Sequence, residues 1–323
     1  MKMCRSRIMI KLHSSSPALQ RRDSLSALML RISSPFLSLS PPPSSLLPFS
    51  SNCHAPSSSS SSSSAHVSVV EHHQQPHLRS SDLVALEYAD LNLSYHLDQG
   101  HVRIRQHVNP LSSSFRVPAQ VPDWNQVFAD PTLPLMVDIG CGSGRFLMWL
   151  AKRNPKVRNY LGLEIRQKLV KRAELWVKDM VLDNVHFLYA NATISFKHLV
   201  ESYPGPLQLV SVLCPDPHFK KRHHKRRVLQ KPLVGAIMDN LMPGGQVFLQ
   251  SDVLEVAIDM RDQFDEFEAL KHIDALNLSV PCGFECDNEG WLLSNPMGIR
   301  TEREIHAESE GAKIYRRLYQ KQL

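Results

Sequence analysis

Leu133-Pro-Leu-Met-Val-Asp-Ile-Gly-Cys-Gly-Ser-Gly144 begins as an apolar run and ends in three glycines at alternate positions. The apolar half, Leu133–Ile139, has the length and density of a strand buried on both faces. The glycine half breaks it. Phe146-Leu-Met-Trp-Leu-Ala-Lys152 then reads as a helix that ends near Asn154-Pro155, because the residue before a proline is pushed out of the helical region.

The same alternation continues downstream. Tyr160–Ile165, Val185–Ala190, Leu207–Leu213 and Gln246–Gln250 read as further strands. Between and after them, Gln167–Leu182, Val228–Leu241 and Val253–Phe267 read as helices, the middle one stopped by Pro243-Gly244-Gly245. In the first of these, Leu169, Ala173, Trp176, Val177 and Met180 recur at helical spacing, which makes packing the default role of Trp176, as of Trp149. Strands alternating with helices specify an α/β fold with a parallel sheet, helices on both faces and right-handed crossovers. Upstream, Asp82–Asp90 reads as a short helix or lead-in, and no internal repeat is apparent.

The chain has 323 residues, and its first 70 differ from the rest. They hold seven Lys/Arg, one acid (Asp23) and the unbroken serine run Ser57–Ser64. Arg-rich, Ser-rich and acid-poor is the composition of an organelle transit segment; a plain disordered tail is the alternative. The serine tract favours chloroplast over mitochondrion. The expected organisation is a disordered segment over 1–75 and one domain over 76–323. The formal net charge of +6 lies entirely in those first 70 residues: the remainder carries 30 Lys/Arg and 30 Asp/Glu. Any nucleic-acid argument therefore rests on where charge clusters. No apolar run is long enough to span a membrane. Six scattered cysteines and sixteen histidines form no zinc spacing, so no metal is expected.

The glycine loop follows the first strand, the place where such sheets bind nucleotide-type ligands. Its pattern is G-x-G-x-G, not the G-x-G-x-x-G that seats a pyrophosphate, and an acid, Asp138, precedes it. A carboxylate repels phosphates and attracts a sulfonium or an amino group. The loop therefore favours S-adenosylmethionine over a dinucleotide. Glu164 ends the second strand, where a carboxylate accepts ribose hydroxyls; Asn191-Ala192 ends the third, beside the adenine. The candidate cofactor residues are Asp138, Gly140, Gly142, Glu164, Ile165, Asn191, Ala192 and Leu213.

D-I-G-C-G-S-G followed by L-G-L-E-I resembles the motifs of class I methyltransferases. After the fourth strand stand Pro215-Asp-Pro-His-Phe-Lys220 and then Lys221-Arg-His-His-Lys-Arg-Arg227. This segment resembles the tRNA (guanine-N7)-methyltransferase family. Three other segments agree with it: Arg103–Ser112, Gln250-Ser-Asp252 and Thr301-Glu-Arg-Glu304. The likeness spans about residues 100–320. It departs from the bacterial pattern at Asn191, often Asp there, and at Ile305–Gly311, which replaces the usual C-terminal continuation.

The resemblance implies a three-layer Rossmann-like fold with a mostly parallel seven-stranded sheet. It implies transfer of a methyl from S-adenosylmethionine to guanine N7 in tRNA, at guanine 46 of the variable loop. Asp216 is then the catalytic candidate. Lys220, Asp252, Thr301 and Glu304 would meet the substrate, and Lys221, Arg222, Lys225, Arg226 and Arg227 the RNA backbone. Some eukaryotic relatives use a β-propeller helper subunit, and no residue decides that here. Two other readings remain at this point: a methyltransferase of another RNA or a small molecule, and a non-catalytic RNA-binding protein with a retained fold. The segment 281–296 is expected to form a strand and loop near the substrate.

Overall fold

In the computed structural model, residues 78–93, 108–273 and 284–322 are described. The expected transit segment, the first half of Arg103–Ser112 (residues 103–107), and Cys282 lie outside them.

Seven strands form one sheet in the order β3-β2-β1-β4-β5-β7-β6. They are β1 (Leu135–Ile139), β2 (Asn159–Glu164), β3 (Val185–Tyr189), β4 (Leu207–Leu213), β5 (Leu241–Ser251), β6 (Leu270–His272) and β7 (Tyr315–Lys321). Pairings from β3 through β5 are parallel, whereas β7 runs antiparallel to both β5 and β6. This is the class I methyltransferase fold. Its helices are α1 (Ser80–Glu87), α2 (Trp124–Val127), α3 (Arg145–Arg153), α4 (Gln167–Asp179), α5 (Ala192–Glu201), α6 (Lys231–Asn240), α7 (Leu254–Asp265) and α8 (Glu302–Ser309).

The continuous apolar character of β1 follows from its two covered faces. Leu135, Val137 and Ile139 join a core with α5, α6 and α7. Met136 joins the opposite core, with Tyr160, Phe187, Leu209, Phe248 and the helices α3 and α4. Trp149 and Trp176 pack in that second core, each with an arginine guanidinium over its ring.

Several boundaries differ from the sequence reading. β5 begins at Leu241, before Pro243-Gly244-Gly245, because the β4–β5 register jumps from Leu207↔Leu241 to Leu209↔Gln246. The proline and glycines thus form an irregularity within the strand rather than a stop before it. α5 carried no clear periodic signal, and Asn191 starts it by accepting the Thr193 N–H at 3.2 Å. β6, β7 and α8 are also additions; β7 follows the turn at Gly311, which has φ +77°.

Gly144 caps α3 with φ +82°, and a Cβ there would stand 2.6 Å from the Phe187 ring. Gly235, inside α6, has open space around the same position. Gly144→Ala should therefore cost about 2–4 kcal/mol, combining backbone strain with overpacking. Gly235→Ala should stabilise by about 0.5–1 kcal/mol. Denaturant unfolding of the two variants measures both; equal effects would contradict the close approach at Gly144.

Candidate active site

The sheet order sets the ends of β3, β2, β1, β4 and β5 side by side, and the cofactor candidates, Asp216 and Asp252 lie at or just beyond those ends, whereas Thr301 and Glu304 lie at the start of α8. After β1, the backbone turns through Gly140 (φ +84°), Gly142 (φ +58°) and Gly144, conformations that only glycine adopts without strain. A Cβ at Gly140 or Gly142 would meet nothing within 4 Å. The loop is therefore a cradle with open space beside it. Gly140 N–H donates to Leu163 O at 2.8 Å, and Gly142 N–H to Glu164 Oε2 at 3.0 Å.

Asp138 is 3% exposed and accepts the Ser211 hydroxyl at 2.7 Å, across the β1–β4 register. Burial pushes its carboxyl up to about 7; the Ser211 bond opposes the rise, and the Glu164 charge adds to it. Glu164 is also buried, with Arg166 folded onto both its oxygens. Ile165 is half-buried beside it. Ala192, the first residue of α5, is buried, and Leu213, at the end of β4, is half-buried.

Asn191 was expected to meet the adenine, but its side chain is otherwise engaged. Its Oδ1 caps α5, and its Nδ2 donates to Pro110 O at 3.1 Å and Phe115 O at 3.2 Å. It fastens the segment before β1 over the end of β3, where Phe115 also meets Tyr189 edge-on.

The Cys214–His218 turn carries Asp216. Two residues of this turn that are not glycine take left-handed backbone, Cys214 (φ 50°) and His218 (φ 45°). Such strain persists only where surroundings enforce it. Cys214 N–H donates to Gln250 O at 2.7 Å, and His218 N–H to Asp216 Oδ1 at 3.3 Å. Burial pushes the Cys214 thiol up to about 12, which keeps it protonated near neutral pH.

The basic run divides. Lys220, Lys221, Arg222 and Lys225 are exposed, along a 3-10 turn over Lys221–Arg226. Arg226 is half-buried. Arg227, expected on the RNA backbone, is only 6% exposed. It donates from Nε to Pro217 O at 3.0 Å and pairs with Glu255 at 2.7 Å and Asp259 at 3.2 Å. That arginine ties the Asp216 turn to α7. Phe219, which the sequence reading passed over, is 67% exposed between Asp216 and Lys220.

The expected substrate residues of the C-terminal part also differ. Thr301 and Glu304 form a capping box: Thr301 Oγ1 accepts Glu304 N–H at 3.2 Å, and Glu304 Oε2 accepts Thr301 N–H at 3.0 Å. Glu304 is fully buried, paired with Arg316 and bonded by Asn295 Nδ2 at 3.0 Å. These two residues position α8. Asp252 is bound by Arg303, from the second residue of α8, at 3.1 Å. Gln250 is buried and donates from Nε2 to Thr301 Oγ1 at 3.3 Å. Segment 284–300 makes one bridge, Cys286↔Leu292, and packs Trp291 against Tyr315. Among the described residues no group of His, Cys, Asp and Glu is arranged to hold a metal, and no helix is long and apolar enough to cross a membrane.

A family model described as "Putative methyltransferase" matches residues 132–317. A Synechococcus sp. protein named tRNA (guanine-N(7)-)-methyltransferase is 47% identical over 217 residues, which cover 67% of this chain and 83% of that protein. Its namesake in Synechococcus elongatus is 44% identical, with 68% and 97% covered. The Synechocystis sp. protein of the same name is 44% identical, with 68% and 98% covered.

The raised Asp138 carboxyl has a consequence for stability. In the folded chain it keeps its proton where the unfolded chain, with a value near 3.8, has lost it. Its contribution is thus full below about 4 and is lost as pH rises through about 7. Melting temperatures of wild type and Asp138→Asn should diverge between about pH 4 and pH 7, with the variant flatter. Parallel curves would show that Asp138 titrates as in water.

Proposed function

The chain belongs to the tRNA (guanine-N7)-methyltransferase family, and we propose that it methylates N7 of a guanine in tRNA with S-adenosylmethionine as donor. The position proposed from the resemblance is guanine 46 of the variable loop. The observation that carries the reading is the Asp216 turn, held in a strained backbone beside the glycine cradle, with exposed cations leading away from it.

The donor set fits the cofactor. The open cradle at Gly140 and Gly142 would seat the amino-acid part, the Glu164 carboxylate the ribose, and the buried Asp138, whose ionised form a bound cation favours, the positive charge. Ile165, Ala192 and Leu213 would supply apolar walls and backbone for the adenine. Bound there, S-adenosylmethionine supplies an electrophilic methyl group.

The residues of the chain do the rest. Guanine N7 carries a lone pair and no proton, so the reaction needs alignment rather than a strong base. Methylation makes the ring cationic, and the Asp216 carboxylate stabilises that developing charge. Asp252, fixed by Arg303, is suited to accept from the guanine N1–H and amino group, which leaves N7 for attack. Thr301 and Glu304 act behind it by holding α8. N7 in an A-form helix faces a groove too narrow for side chains, so the base must leave the stack. The exposed ring of Phe219 offers it a stacking face. Lys220, Lys221, Arg222 and Lys225 then hold phosphates.

We further propose import into an organelle, the chloroplast before the mitochondrion, on the composition of residues 1–70. A reporter fused to residues 1–75 tests this; cytosolic signal would dismiss it.

Incubation with labelled cofactor and unmodified tRNA, followed by nucleoside analysis, should yield 7-methylguanosine. Asp216→Ala should reduce turnover at least about 100-fold, the scale of one lost electrostatic stabiliser, with cofactor affinity within a few-fold. Wild-type turnover by that variant would remove Asp216 from the mechanism. Lys221→Ala/Arg222→Ala/Lys225→Ala should flatten the salt dependence of tRNA binding by about 2 in log–log slope. Arg227→Ala should leave the slope unchanged and lower stability by about 1–3 kcal/mol. The reverse pattern would return the exposed cations to solvent.

A further inference from the structure

The Glu164 carboxylate, 2% exposed, is met by four donors. Its Oε1 accepts the Arg166 backbone N–H and the Arg166 Nε, both at 2.9 Å. Its Oε2 accepts Gly142 N–H and Arg166 Nη2, both at 3.0 Å. An ionised carboxylate offers about four lone-pair positions, so this set is full. Two of the donors are backbone groups in the turns after β1 and β2. They stay as long as those turns keep their shape. The other two belong to one side chain with rotatable bonds. A ribose diol brings two O–H donors.

We propose that Arg166 is an internal occupant of the ribose subsite: the two cofactor hydroxyls replace its Nε and Nη2 on Glu164, and the displaced guanidinium takes a phosphate of the incoming RNA. The inference rests on the reading of Glu164 as ribose acceptor. The exchange is two donors for two, so the buried carboxylate remains satisfied throughout. Arg166 can leave, because its side chain is 29% exposed and already reaches the water side of the cleft. It cannot shed its charge, so once displaced it must find another anion or solvent. Its field already includes the substrate side: hydrogen bonding to Glu164 holds the guanidinium above its ordinary range, and the Asp216 charge acts in the same direction. A residue that opposes cofactor in the free enzyme and assists RNA in the loaded one couples the two binding events reciprocally. RNA would then prefer the loaded enzyme.

A supporting role, in which Arg166 stays on Glu164 and steadies it for the ribose, predicts the opposite sign. Calorimetric titration of the full chain with S-adenosylhomocysteine separates the two. Arg166→Gln should bind it about three- to tenfold tighter than wild type, since the competing donors are gone. Arg166→Lys, which keeps charge but loses the fork, should also bind it tighter. The second arm measures binding of an unmodified tRNA transcript across salt concentrations, with and without S-adenosylhomocysteine. In wild type, S-adenosylhomocysteine should steepen the log–log slope by about 0.7–0.9, one added phosphate contact. Arg166→Gln should show one slope under both conditions, and Arg166→Lys should keep the difference. Weaker S-adenosylhomocysteine binding by both variants, with wild-type melting curves, would overturn internal occupancy. A wild-type slope indifferent to S-adenosylhomocysteine would overturn the phosphate contact. Glu164→Gln tells the two levels apart. Unchanged affinity there removes the ribose reading and this inference with it. Lost affinity there, together with unchanged affinity in Arg166→Gln, removes this inference alone.

Discussion

The hydrogen bond from Gly142 N–H to Glu164 joins the loop after β1 to the end of β2, and the cofactor side of the cleft depends on it. It completes a run: Gly140 and Cys141 N–H both donate to Leu163 O, and Gly142 takes the next acceptor along. The loop is thereby fastened to the neighbouring strand over three successive residues. That fastening requires left-handed backbone at Gly140 and Gly142, and both positions leave open space where a side chain would project. It also fixes the carboxylate, so a ligand that displaces the Arg166 side chain meets an acceptor already aimed. β1 and β2 are paired in register up to Ile139↔Leu163, which carries the constraint back into the core.

The substrate side is held by a different device. The Asp216 turn strains two backbone positions, at a cost of about 1–3 kcal/mol each, and is restrained by two partners, one of them braced in turn. Gln250 holds its start from β5, Arg227 holds Pro217, and α7 braces Arg227 through Glu255 and Asp259. One cation of the basic run thus serves the acid at its head. Gln250 also reaches Thr301, so the turn and the cap of α8 share one buried amide. Arg303 on that helix returns to Asp252, which closes a circuit around the expected position of the base.

How much of this was legible in the sequence depended on whether a signal was local. The five strands from β1 to β5 read directly, because burial on both faces gives dense apolar runs. The positions of Asp138, Glu164 and Asp216 read equally well, because each sits within three residues of a strand's carboxyl end. β6 and β7 did not read: Leu270–His272 is three residues long, and β7, YRRLYQK, spends its polar side chains on partners distant in sequence. The partners themselves were invisible for the same reason. Nothing near Asn191 announces Pro110 and Phe115, and nothing near Arg227 announces Glu255. Glu304 was the hardest case. A Thr-x-x-Glu pattern is both a capping box and a substrate motif by resemblance, and the fully buried carboxylate favours the first. Arg166 had a local signal, two residues beyond an acid at a strand end, but no periodicity rule weighs such a pair.

The distribution of pairs also bears on the electrostatics. Residues 71–323 balance thirty basic against thirty acidic residues. In the site region the balance is met locally: Glu304 with Arg316, Asp252 with Arg303, Glu164 with Arg166, and Glu255 and Asp259 with Arg227. Pairing of this kind cancels the field beyond a few ångströms. The stretch from Lys220 to Lys225 has no acid within it, and four of its cations are exposed. Under the proposed function, a polyanion would meet this run of exposed cations, whose head is the turn that carries Asp216. Contacts of that kind would make the affinity salt-sensitive.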